Sequence, residues 1–231
     1  MNGHRGSVTC LDSFDVNTIV SGSEDKTIRI WDVRTRKCVQ GIMSFSHAIN
    51  SISIIGNTLY ASAGNVIRAF DLRKNALVVK ECLFESQPQS EEVNKLHSFS
   101  SNSLISCNDL GEVIKYSLSL QESEIICKHN ELCQAVACND TFIASGGNDC
   151  LVKIMKDERI LKEIDTSRFR EETAMVFNPP FVTDLLCIQD NLIVGLGNGT
   201  LAKYNFNTGN ISSVKGHDYS VSKMYLIMLM I

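Results

Sequence analysis

His4, Ser21 and Asp25 are the parts of an acyl-transfer site: an imidazole base, a hydroxyl nucleophile and a carboxylate. Trp31 follows Asp25 by six residues. His129, Ser145 and Asp149 stand at matching offsets further along, with Met155 where the first set has its indole. A thioether cannot donate the hydrogen bond that an indole gives. Hydrolase-type catalysis through His4, Ser21 and Asp25 is one reading of these residues, and a purely structural hydrogen-bond chain is the other.

The remaining reactive residue types carry less. Nine cysteines occur singly, with no C-x-x-C pair, so they read as small buried hydrophobes of a reducing compartment rather than as disulfides or zinc ligands. Gly195, Gly197 and Gly199 follow a strand as a dinucleotide loop does, but 201–204 alternates like another strand where a helix would be required. Asn198-Gly199 is therefore read as a hairpin turn with positive φ angles. The pairs Glu91-Glu92 and Glu171-Glu172 sit among polar neighbours as solvated loop charges. No catalytic residue, metal or cofactor is expected.

Arginine supplies the sharper signal. Trp31-Asp32-Val33-Arg34 is echoed by Phe70-Asp71-Leu72-Arg73. A guanidinium is a rigid, permanently charged fork suited to carboxylate or carbonyl acceptors, and lysine is no equal substitute. An insertion at 166–180 (TSRFREETAMVFNPP) adds Arg168, Phe169, Arg170 and Met175 ahead of a proline pair that stops regular structure. Long loops on rigid scaffolds are common binding elements.

These residues need elements to hold them. From Trp31, an aromatic or large apolar residue ends an alternating run at Phe70, Tyr116, Met155 and Tyr204, at spacings of 39, 46, 39 and 49. Each is preceded by a strand ending in small residues and a turn, and each unit opens with a shorter apolar segment near 8–11, 49–54, 93–96, 133–137 and 182–188. Alternation at period two with turn residues between runs is the strand signal, and no helical periodicity competes with it. Four strands per period of about 40–45 residues stack radially as propeller blades, since one small sheet cannot bury both apolar faces alone.

Gly3-His4, Asp25 and Trp31-Asp32 resemble the Gly-His to Trp-Asp signature of the WD-repeat family. The resemblance implies that His4, Ser21, Asp25 and Trp31 form a hydrogen-bond chain bracing the first blade, and that His129, Ser145 and Asp149 do most of this in the fourth. Buried polar groups must be paired, and such networks specify a unique packing. The third unit has Ser106, with Asp109 one residue early; the fifth has Asn198 and Val194; the second, with its shortened turn, has no aspartate. The residues 19–34 also resemble the W-D-x-R box of WD-repeat substrate receptors that dock on the damaged-DNA-binding adaptor of cullin 4 ubiquitin ligases. That resemblance implies an adaptor-binding role for Asp32, Arg34, Asp71 and Arg73 on the bottom rim.

The expected fold is all-β: a WD-repeat propeller in one domain over 1–231, with blades at about 3–42, 43–84, 85–127, 128–165 and 178–215 and a partial sixth at 216–231. Seven blades are usual in the family, so the resemblance implies truncation from a seven-bladed ring, and a non-functional truncated isoform is an alternative. The apolar tail at 224–231 is too short for a bilayer, which needs about 20 residues. A net charge of −4 and 44% hydrophobic content fit a cored protein with no basic footprint for nucleic acid. The N-terminus lacks the apolar stretch of a secretory signal, so a cytoplasmic or nuclear location is expected. The functional expectation is a non-enzymatic protein-interaction scaffold, either a cullin 4 substrate receptor or a scaffold of another assembly in ribosome, chromatin or trafficking. Neither direct nucleic-acid nor membrane binding is expected.

Overall fold

A computed structural model of the protein describes residues 3–43, 45–74, 77–169 and 179–224. Among them the regular structure is all strand, apart from one 3-10 turn at Thr166–Phe169. The chain divides into two compact units, Met1–Ser106 and Cys107–Ile231.

The first unit opens with an up-and-down sheet of β1 (Val8–Asp15), β2 (Thr18–Ser23), β3 (Ile28–Asp32) and β4 (Lys37–Ile42). It continues with β5 (Ile49–Ile55), β6 (Thr58–Ala63), β7 (Val66–Asp71), β8 (Val78–Val79) and β9 (Phe84–Glu85). The second sheet has the order β5-β6-β7-β9, whereas β8 leaves it and runs parallel to β4 as a fifth strand of the first sheet. The stretch between β7 and β9 thus crosses over the outer edge of the first sheet, and a blade boundary near residue 84 does not anticipate this. Crossing has a physical rationale, because an edge strand left bare presents unpaired N–H and C=O groups. Val20, Ile28, Ile30 and Ile42 from the first sheet and Ile49, Leu59 and Phe70 from the second form one buried cluster.

Strands β10 (Val93–Ser100), β11 (Ser103–Asn108), β12 (Glu112–Ser117) and β13 (Glu122–Lys128) follow in sequential order, and the unit boundary falls within β11. The second unit also holds β14 (Cys133–Cys138), β15 (Ile143–Gly147), β16 (Leu151–Lys156) and β17 (Arg159–Asp165) in one sheet. Its last sheet is β18 (Val182–Ile188), β19 (Asn191–Leu196), β20 (Thr200–Asn205) and β21 (Ile211–Lys215). Ala144, Val152 and Ile154 pack with Val182, Leu185, Leu192 and Val194.

One irregularity recurs and explains how neighbouring sheets lock within a unit. The pairing register skips Thr9 in β1, Asn50 in β5, Gln134 in β14 and Thr183 in β18, each the second residue of its strand. A bulge re-aims the side chain of the residue it leaves unpaired. Thr9 Oγ1 donates to the Gly22 and Ile49 carbonyls, Asn50 Nδ2 to Val93 O at 3.0 Å, and Thr183 Oγ1 to the Gly195 and Val221 carbonyls. The three acceptors Ile49, Val93 and Val221 belong to the segments that come next in the chain. Glycines allow close approach at two sheet-to-sheet points: a Cβ on Gly22 would meet Ile49 Cγ2 at 2.6 Å, and one on Gly146 would meet Val182 Cγ1 at 2.3 Å.

Candidate functional site

In the first sheet, His4 Nδ1 lies 3.0 Å from Asp25 Oδ2, and His4 Nε2 lies 2.7 Å from Ser21 Oγ. Trp31 Nε1 donates to the same Ser21 Oγ at 2.8 Å. An indole N–H only donates, so Ser21 Oγ accepts from Trp31; a carboxylate only accepts, so Asp25 calls for the imidazole proton on Nδ1, and the Nε2 of a neutral His4 then takes the Ser21 proton. Partial burial pushes the Asp25 carboxyl up, but hydrogen bonds from Thr27 Oγ1, the Arg5 amide and His4 outweigh it and hold the group well below its usual range. The contacts are those of a Ser-His-Asp triad, but Ser21 is buried and its Oγ already receives the indole proton. A nucleophile needs that lone pair and a path to substrate.

The second unit carries a related set. His129 Nδ1 lies 3.0 Å from Asp149 Oδ1, and His129 Nε2 lies 2.9 Å from Ser145 Oγ. Met155 is fully buried at the indole's register position and supplies no donor to Ser145. Burial lowers the His129 pKa, and the Asp149 charge offsets this only in part.

The third sheet has a substitute that sequence reading missed. Gln89 Nε2 lies 3.2 Å from Ser106 Oγ, and the 17-residue separation equals that of His4 and Ser21. An amide donor in place of imidazole was detectable only through that spacing. Asp109 makes no part of this contact; Asn108 instead accepts the Glu112 amide. In the fifth sheet Asn198 Oδ1 accepts the Thr200 amide at 3.1 Å, as Asp25 accepts Thr27 and Asp149 accepts Leu151, so the turn persists without a carboxylate. Of the pair Asn198-Gly199, only the glycine has positive φ, at 82°.

Both Asp-x-Arg motifs lie in the first unit, in turns of one design. Val33 N donates to Asn17 O at 2.7 Å and Leu72 N to Asn57 O at 3.0 Å. Asp32 Oδ1 then accepts the Arg34 amide, and Asp71 Oδ1 the Arg73 amide, each at 2.9 Å. The arginine heads differ. The Arg34 head stands 3.9 Å from Asp32 and is 78% exposed, whereas Arg73 clasps Asp71 through Nε at 2.9 Å and an η nitrogen at 2.8 Å. The Arg73 side chain and amide hold the Asp71 pKa down to about 2, and the Asp71 carboxylate raises that of Arg73. The Thr35 side chain, followed by backbone amides, lowers Asp32.

Of the insertion at 166–180, Thr166 Oγ1 ties Cys150 O to Pro180 O at 2.9 and 2.5 Å, and Arg168 lies over the Phe169 ring. Arg170, Glu171, Glu172 and Met175 fall outside the described residues, as does the tail from 225 onward. Glu92 accepts from Asn50 Nδ2 at 2.8 Å. No disulfide joins the described cysteines, and burial raises the Cys127, Cys133 and Cys138 thiols and lifts Cys187 to about 12, against thiolate chemistry. Among the described residues no group of three His, Cys, Asp or Glu side chains is placed to hold a metal, and no helix is long and apolar enough to cross a membrane.

Four-stranded sheets in series, the first carrying the Gly3-His4 and Trp31-Asp32 of a WD repeat, have the all-β fold of WD40 propellers. Residues 1–32 match the family described as WD domain, G-beta repeat. Along most of its length the chain is homologous to the WD repeat-containing protein 53 homolog of Dictyostelium discoideum, with 27% identity over 231 aligned residues, covering 86% of this chain and 62% of the relative. The chain therefore spans less than two thirds of that relative's length. Two solved structures share the fold. The RRP9 WD40 repeats superpose with a TM-score of 0.79 at 16% identity, covering 93% of this chain and 67% of that one. The structure of U3-55K gives 0.77 at 15%, covering 89% and 64%. WD40 propellers generally bind proteins, and WD-repeat homologues are typically non-enzymatic scaffolds.

Proposed function

We propose that this WD-repeat protein is a non-enzymatic interaction scaffold of the cytoplasm or nucleus whose Asp32, Arg34, Asp71 and Arg73 dock the damaged-DNA-binding adaptor of cullin 4 ubiquitin ligases. The observation that supports this reading is the tandem turn: two neighbouring sheets of one unit present an aspartate-capped arginine through the same backbone pattern. The aspartates fix the loops, and the guanidinium forks supply permanent charge for carboxylate or carbonyl acceptors. His4, Ser21, Asp25 and Trp31 in the first unit, and His129, Ser145 and Asp149 in the second, act as braces that each stiffen their own sheet. The test is capture of purified adaptor by the wild-type chain and by Arg34→Ala combined with Arg73→Ala. Loss of capture in the double variant is expected, and undiminished capture by it sinks the assignment.

A second reading rests on the engagement of Arg73 with Asp71, which already takes up two of the five N–H donors the arginine would offer a partner. Under it the arginines are self-braced turn residues and the chain is a scaffold of another intracellular assembly. Affinity purification that recovers a stable complex without the adaptor favours this alternative.

A further inference from the structure

The crossover that carries β8 onto the first sheet leaves a cleft of about 290 Å³ in the first unit. Phe14, Ile30 and Leu72 give it an apolar lining, beside the polar Thr18 and Gln40. Val39 and Leu77 stand at its mouth, 44% and 72% exposed, and Arg73 and Lys74 complete the wall. The wall is tied in place: Gln40 Nε2 donates to Lys74 O at 2.6 Å, and Gly41 N to Leu77 O at 3.0 Å. The volume falls at the bottom of the ~300–1,000 Å³ range of small-molecule sites, which suits one or two inserted side chains better than a cofactor.

Charge indicates what accompanies those side chains. The β1–β2 turn, the β3–β4 turn and the crossover, at residues 15–17, 32–37 and 71–81, carry six basic against four acidic side chains in a chain whose net charge is −4. Lys74 and Arg73 are partnered by Glu81 and Asp71, but these ion pairs are exposed, and exposed pairs are weak enough to be exchanged for a ligand carboxylate. Exposed apolar side chains beside a locally basic rim favour a ligand that is apolar at its centre and acidic on its flanks.

We propose that this cleft is a docking site for a short acidic segment of a partner protein, which inserts one large apolar or aromatic side chain between Val39 and Leu77 and sets flanking carboxylates against Arg73 and Lys74. The inference rests on the reading of this rim as a docking surface but not on the identity of the adaptor.

Fluorescein-labelled hexapeptides in which a single Leu, Met, Phe or Trp is flanked by Glu and Asp serve as probes of the full-length chain by fluorescence polarisation. Saturable binding of at least one probe is expected, weakened about tenfold or more in Leu77→Asp and in Lys74→Glu, while Leu120→Asp in the second unit leaves it unchanged. Leu77 is exposed, so its substitution leaves the fold in place, and an unchanged thermal melt verifies this. Absence of saturable binding by every probe up to about 1 mM overturns the proposal, as does binding that Leu77→Asp and Lys74→Glu leave intact. Adaptor capture is scored separately: its failure counts against the adaptor reading, whereas the peptide titration decides the cleft.

Discussion

Trp31 and Ser21 meet at the head of one hydrogen-bond chain: the indole Nε1 donates to Ser21 Oγ at 2.8 Å, and that oxygen lies 2.7 Å from His4 Nε2. The chain Trp31 to Ser21 to His4 to Asp25 then has a single sense of donation from end to end. Trp31→Phe keeps most of the ring packing and removes only the first donor, with an expected loss of about 1 kcal/mol in unfolding free energy. Ser21→Ala strands both the indole N–H and the imidazole in a buried setting and is expected to lose about 1–3 kcal/mol. Urea titrations of both variants measure the two losses. A Ser21→Ala cost no larger than that of Trp31→Phe would contradict the ordering.

The His129 site should make the protein acid-sensitive. Burial lowers its pKa below the ordinary value of 6.5, so the unfolded chain binds the extra proton first as pH falls. Stability from this group is fully present above about pH 6.5 and declines as pH drops toward the lowered folded value. Urea midpoints should therefore fall between pH 7.5 and 5.5, and His129→Gln should flatten that dependence while lowering the midpoint at neutral pH. An unaltered pH slope in His129→Gln would assign the sensitivity elsewhere.

Sequence patterning carried much of this architecture, and its failures have physical causes. Strand alternation and small-residue turns mark the all-β sheets because period two follows directly from the pleat. Strand β8 has only two residues, Val78 and Val79, too few for any period to register, and its pairing with Gly41 and Ile42 joins positions that no repeat pattern connects. Gln89 opposite Ser106 was hidden because hydrogen bonding can be met by several residue types at one place. The two Asp-x-Arg turns were readable as a repeated motif, but the sequence held no sign that Arg73 would clasp its own aspartate while the Arg34 head stays largely exposed.

Two glycines with different surroundings give a contrast that tests sheet packing. Alanine at 146 would place its Cβ 2.3 Å from Val182 Cγ1, so one of the two sheets must shift. Overpacking of this kind costs roughly 1–3 kcal/mol. Alanine at 41 meets nothing nearer than 3.7 Å, and Gly41→Ala is expected to be neutral within about 0.5 kcal/mol. Thermal or urea unfolding compares the pair directly; equal effects would mean that sheet-to-sheet contact at Gly146 is looser than these distances require.

The crossover onto β4 hangs on few bonds, which makes it separable from the sheet beneath. Gln40 Nε2 holds Lys74 O, Gly41 N holds Leu77 O, and the parallel pairing extends only from Gly41 to Ile42. Local opening requires the loss of those bonds and the exposure of Val79, which packs into the core of the first unit, while β2 and β3 stay paired over five residue pairs from Thr18–Asp32 to Gly22–Ile28. Gln40→Ala removes the side-chain tether, and a lost hydrogen bond worth about 1 kcal/mol corresponds to roughly fivefold more frequent opening. The Gly41 amide should therefore exchange about fivefold faster with deuterium in Gln40→Ala, with the Val20 and Ile30 amides unaffected. Uniform acceleration across all three amides would show instead that the crossover and the first sheet open as one cooperative unit.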